Sequence, residues 1–137
     1  MKSGDIVITS FDRERLVNLI GKYRAERSMM PNIKKLEDEI ARAKIVSMYD
    51  VPADIVTLNS RVKFRIVSSG EERTYKLVFP HEADVDNGKL SILSPIGTSL
   101  IGFSAGNVVE WEVPGGKIKI EILEVVYQPE SAGHYNL

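Results

Sequence analysis

The spacing of apolar residues changes once along this chain, and that change limits the fold more than any other feature. From Thr9 to about Ser47 apolar side chains recur every three or four positions, and from Ile55 onward they alternate every second position. One period belongs to a helix with a single buried stripe, the other to a strand with a single buried face. The switch falls near Pro52, so we expect a helical segment over 1–50 and a strand-rich segment over 51–137.

In the helical segment, Thr9 precedes Asp12 by three positions, the arrangement of an N-cap hydroxyl with an acid in the positive first turn. Leu16, Leu19, Ile20 and Tyr23 then share a face. Pro31, whose missing N–H costs nothing in a first turn, opens a second helix with Ile33, Leu36, Ile40 and Ala43 on one stripe. Joined by the short Arg27-Ser28-Met29-Met30 segment, the two stripes bury themselves against each other as a short antiparallel helical hairpin with coiled-coil packing. At roughly 18 residues per helix the arm reaches about 27 Å. An arm that short needs support at its base from the rest of the chain.

The strand-rich segment predicts a mostly antiparallel sheet. Its expected strands are Ile55–Leu58, Arg61–Val67, Arg73–Phe79, Lys89–Ile92, one through Val109, Trp111 and Val113, and Lys117–Tyr127, with turns at Ser68-Ser69-Gly70, Asn87-Gly88 and Pro114-Gly115-Gly116. Ser94-Pro95 followed by Leu100-Ile101-Gly102 is the start and stop of one short helix. On the last strand the buried parity changes from Ile118, Ile120 and Ile122 to Leu123, Val125 and Tyr127, which predicts a bulge near Ile122-Leu123. Trp111 fits either the floor of an aromatic pocket or the core, and its alternation with Val109 and Val113 favours the core. The tail after Tyr127 is irregular, and either packs back on the hairpin base or forms a surface of its own.

Composition removes whole classes of function. With 43% apolar residues in 137, the chain can bury one core and a small attachment. Eighteen basic against 19 acidic residues leave a net charge of -1, with no global field for nucleic acid or anionic lipid. The absence of cysteine excludes disulfides, thiolate catalysis and the usual structural zinc sites. No apolar run is long enough to span a membrane, and a cytoplasmic location is expected. Asp84-Val85-Asp86-Asn87-Gly88 fails as a calcium loop because Gly88 and Lys89 stand where a ligand and a glycine are needed. His81 and His134 lack companions at ligand spacing. We expect no metal and no cofactor.

Gly88-Lys89-Leu90-Ser91, Ser94-Pro95-Ile96-Gly97, Leu100-Ile101-Gly102, Gly106 and Pro114-Gly115-Gly116, in this order, resemble the C-terminal domain of the GreA/GreB transcription factors over about Val51 to Tyr127. Val56 to Val62 and Tyr127 to Tyr135 resemble the Rnk branch of that family, known as regulators of nucleoside diphosphate kinase. The resemblance implies an FKBP-like β half-barrel with one short helix, and binding to RNA polymerase at the rim of its secondary channel. It places the polymerase contact on Leu93, Ser94, Pro95, Ile96 and Gly97, with Leu93 standing where the GreB-like pattern prefers an acid.

Cleavage factors of that family carry acids at the hairpin tip to hold magnesium, a hard cation that needs oxygen ligands. This tip offers Arg24, Glu26, Arg27, Met29 and Met30, a single acid between two arginines, so a non-catalytic regulator is expected rather than an enzyme. Met29 and Met30 fit either a partner contact or packing inside the turn. Arg61, Lys63 and Arg65, on one strand face, fit an acidic surface of the polymerase, a phosphate backbone, or a solvated face that blocks edge aggregation. Two further functions compete: a prolyl isomerase or chaperone on the FKBP-like fold, and an adaptor that binds nucleoside diphosphate kinase directly. Sequence-specific nucleic-acid binding is not expected.

Overall fold

The Thr9 hydroxyl accepts the backbone N–H of Asp12 at 3.0 Å, and the first helix, α1 (Ser10–Tyr23), starts there as its capping residues require. The computed structural model of the chain describes residues 6–23, 30–113, 115–135 and 137. Helix α2 (Met30–Arg42) follows with Pro31 in its first turn. Leu16, Leu19 and Ile20 of α1 and Ile33, Leu36 and Ile40 of α2 are buried, as the two stripes predict. Arg24, Glu26, Arg27 and Met29 lie outside the described residues.

Two short strands at the base of the helices have no counterpart in the sequence pattern. β1 (Val7–Thr9) leads into α1, β2 (Lys44–Val46) leaves α2, and the two pair in parallel. Three residues are too few to show a period, so neither strand is legible locally. Their place is set from outside: Val7 N–H donates to Gly102 O at 2.9 Å, beyond the short helix of the other half. A Cβ at Gly102, which has φ +82°, would lie 2.1 Å from Ile6 Cγ2, so only glycine lets β1 come this close.

The main sheet contains β3 (Arg61–Ile66), β4 (Glu72–Val78), β5 (Lys89–Ser91), β6 (Val108–Val113) and β7 (Gly116–Tyr127), in the order β5-β4-β3-β7-β6. It is mixed rather than antiparallel throughout, because β4 and β5 run parallel. Two 3-10 turns, Pro80–Glu82 and Val85–Asn87, separate these strands and return the chain in its original direction. Ile55–Leu58 is not a strand. Ile55 makes one bridge to Ser104, and Asn59, at φ 68°, turns the chain before a ladder can extend. The expected bulge is present: Lys63 pairs with Glu124 and Phe64 with Ile122, skipping Leu123, and a second register shift skips Val126.

Helix α3 (Pro95–Leu100) packs beside β6 and closes the core. That core is continuous. Ile6, Leu16 and Leu36 belong to the same buried cluster as Leu58, Phe64, Leu93 and Phe103. Each large side chain fully withdrawn from water contributes roughly 1.5–3 kcal/mol, so the helices gain their stability by sharing the core of the sheet. Among the described residues, no helix is long and apolar enough to cross a membrane.

Candidate functional site

The turn between β5 and α3 is built from hydroxyls that answer nearby backbone groups. Ser94 Oγ accepts the Gly97 N–H at 3.0 Å and donates to Ser91 O at 2.7 Å, while Ser91 Oγ accepts the Leu93 N–H at 3.0 Å. Thr98 Oγ1 donates to Ile92 O at 2.6 Å and Ser99 Oγ to Ile96 O at 2.6 Å. Four hydroxyls of the turn are therefore engaged with backbone groups close by, which braces its shape.

The five residues assigned to this turn divide by burial. Leu93 is 2% exposed and its side chain belongs to the core. Gly97 is buried, and a Cβ there would stand 2.1 Å from Ser91 O. Ser94, Pro95 and Ile96 are half-buried and form the accessible part. Ile96 also lines a shallow apolar dimple of about 180 Å³ with Phe64, Ile66, Arg73 and Tyr75. Trp111, 3% exposed, is a core residue, as its alternation predicts.

Arg61, Lys63 and Arg65 point away from the core, with Val62 and Phe64 buried between them. Their surroundings differ. Lys63 Nζ lies 3.4 Å from Glu72, and Arg65 is ion-paired to Glu121 across β3 and β7. His134 Nδ1 is 2.7 Å from the Tyr127 hydroxyl, and the His81 ring stacks on Phe79. The Asp84 carboxylate accepts the Asn87 side-chain amide at 2.6 Å. Among the described residues, no group of His, Asp and Glu could hold a metal ion.

The pattern of residues along the chain does not reveal the joint between α1, the 57–60 turn and the tail. Asp12, 1% exposed, accepts the Leu58 N–H on Oδ2 at 3.0 Å and Arg15 on Oδ1 at 2.5 Å. Arg15 also donates to Leu137 O at 2.7 Å and lies over the Phe11 ring at 4.1 Å. Glu130 accepts the Thr57 hydroxyl at 2.8 Å, and Gln128 Nε2 donates to Pro52 O at 2.7 Å and Ile55 O at 2.8 Å. The first residues after Tyr127 are thus folded into the joint, and Tyr135 meets the Tyr49 ring at 4.7 Å. Burial raises the Asp12 carboxyl above its ordinary value, against the opposing pull of Arg15 and the Leu58 N–H. Burial raises Glu130 likewise, although its bond from Thr57 works the other way. The Asp12 first-turn position has a signal in the sequence, and a tail packed on the hairpin base is one of two readings there, but the partner of Asp12 lies 46 residues away.

Comparison with known proteins places these features in a family. Residues 51–127 match the model described as "Transcription elongation factor, GreA/GreB, C-term", and residues 5–46 match "Rnk N-terminus". The chain is 40% identical to the "Regulator of nucleoside diphosphate kinase" of Escherichia coli K12 over 138 residues, covering all of both chains. It is 39% identical to "Transcription elongation factor GreA" of Christiangramia forsetii over 93 residues, 68% of this chain and 59% of that protein. Among solved structures, a "prokaryotic transcription elongation factor GreA/GreB" from Nitrosomonas europaea superimposes with a TM-score of 0.73 at 40% identity, over 90% of this chain and all of that one.

Proposed function

We propose, since this chain belongs to the GreA/GreB family of transcription elongation factors and carries the Rnk N-terminus, that it regulates transcription by occupying the secondary-channel rim of RNA polymerase without stimulating transcript cleavage. On this reading residues 51–137 form an FKBP-like half-barrel that carries the affinity, and residues 1–50 an antiparallel coiled-coil arm that enters the channel mouth. The observation that carries it is the braced turn at Ser94–Ile96, which presents Pro95 and Ile96 on a backbone held by Ser91, Ser94 and Thr98. A preorganised apolar contact loses little entropy on docking. The cleavage half of the reading rests on charge: Glu26 between Arg24 and Arg27 is a poor magnesium site.

A pulldown on core RNA polymerase tests this. Pro95→Ala and Ile96→Ala, alone or together, should weaken retention about tenfold, the usual cost of losing one anchoring contact. Unchanged retention would move the contact elsewhere. Backtracked complexes should show no metal-dependent cleavage in response to the chain, and stimulation would refute the non-catalytic part.

The 180 Å³ dimple is small for a substrate site, since ligand pockets run to about 300–1,000 Å³, and this favours docking over prolyl isomerisation. The relative's name links it to nucleoside diphosphate kinase. For this chain we place any such effect downstream of transcription. A binding measurement between the two purified proteins separates that route from direct adaptation.

A further inference from the structure

Of the three cross-strand rows that pass through the outer face of β3, one stands out by its charge. In the first, Arg61 pairs with Lys76 and Lys76 with Lys89, with Tyr127 on the other side of Arg61. In the second, Lys63 lies between Thr74 and Glu124; in the third, Arg65 lies between Glu72 and Glu121. The second row is neutral and the third carries one net negative charge, whereas the first has three cations and no acid. Strands are about 4.8 Å apart, and like charges directly opposite destabilise a sheet. Lys63 and Arg65 are held by Glu72 and Glu121. Among the described residues, Arg61, Lys76 and Lys89 have no carboxylate within ion-pair distance, and Asp84, which bridges to Lys89, spends its carboxylate on Asn87.

Beside this row the chain leaves an open hollow of about 350 Å³ lined by Arg61, Lys76, Val126, Tyr127 and Leu137. Val126 is 48% exposed because the second register shift of β7 turns it outward, and Leu137 is 41% exposed. Cations and apolar side chains therefore meet in one place.

We propose that this hollow and the Arg61-Lys76-Lys89 row form a second docking surface, for an acidic protein segment in which a carboxylate lies next to an apolar side chain. Its carboxylates would supply the missing counter-charge, and its apolar side chain would cover Val126 and Leu137. A phosphodiester backbone fits less well: it needs a continuous basic stripe, and Glu124 lies in the next row, with Glu72 and Glu121 in the one after it. The surface faces away from the core that α3 closes, so it acts independently of the Ser94–Ile96 turn.

The test is a titration of the full chain with a labelled short peptide of alternating Glu and Leu, read by anisotropy and by amide chemical shifts. Saturable binding is expected, with shifts centred on Arg61, Lys76, Lys89 and Tyr127, and affinity falling as salt rises from about 0.05 to 0.3 M. Arg61→Glu/Lys76→Glu should weaken it at least tenfold, and Arg61→Gln/Lys76→Gln by a smaller factor, while Pro95→Ala leaves it unchanged. Arg61→Gln/Lys76→Gln should melt no lower than the parent, because it removes a like-charge pair, whereas the Glu double variant only exchanges that pair for another. An oligo(dT) probe that binds more tightly than the peptide would reassign the face to nucleic acid and overturn the proposal. Undiminished peptide binding by the double variants, or a lower melting temperature in the Gln double variant, would overturn it too.

Discussion

The turn at 91–101 and the joint around Asp12 are both held by side-chain hydrogen bonds, yet they are organised at opposite ranges. At the turn, Ser91, Ser94, Thr98 and Ser99 each bond to a group two to six residues away. At the joint, Asp12 reaches Leu58, Thr57 reaches Glu130 and Arg15 reaches Leu137, across separations of 46, 73 and 122 residues. A turn braced locally can keep its shape even if the rest of the fold loosens. The joint exists only when the helices, the 57–60 turn and the tail are already assembled, so it reports on their assembly.

This contrast should be visible in stability. Asp12→Ala removes the acceptor for a buried N–H and one partner of Arg15, and should cost about 3 kcal/mol in urea unfolding. Asp12→Asn, which keeps an oxygen for the Leu58 N–H, should recover part of that loss. Ser94→Ala removes an N-cap and should cost about 1 kcal/mol, with exchange protection lost only around α3. If the two alanine variants proved equally costly, the distinction between joint and turn would fail.

The smallest effect is one of pH. Asp12 and Glu130 both have folded-state carboxyls raised by burial, so the native state binds more protons than the unfolded chain above their ordinary values of 3.8 and 4.5. Stability contributed by these groups therefore falls as pH rises through the folded-state values, and is greater in mild acid than at neutrality. Glu130→Gln, which retains an acceptor for Thr57, should flatten the fall in melting temperature as pH rises above the ordinary glutamate value toward neutrality. An unaltered slope in that variant would remove Glu130 as a source.

Legibility followed the same division. The Thr9 and Ser94 caps, the Gly102 stop, the β7 bulge and the core position of Trp111 are local or periodic features, and the structure has them all. The parallel pairing of β4 with β5, the β1-β2 pair and the irregular course of 55–58 are not legible, because each depends on where a distant segment lies. The burial of Leu93 and Gly97 within the candidate docking turn could not be read from their neighbours either. The basic parity of β3 was legible, but its uncompensated part was not: only the register of β3 against β4 and β7 shows that Lys63 and Arg65 have carboxylate partners and Arg61 does not.

By itself, then, the order of residues determined the two periods, the caps, the turns and the family to which the chain belongs. Those depend on backbone sterics and on neighbours a few residues apart. Tertiary structure alone decided strand order and register, the buried joint between helices and sheet, and which surface charges are left without a counter-ion. Each of these is a property of groups that become neighbours only when the core excludes water and fixes the distances between them.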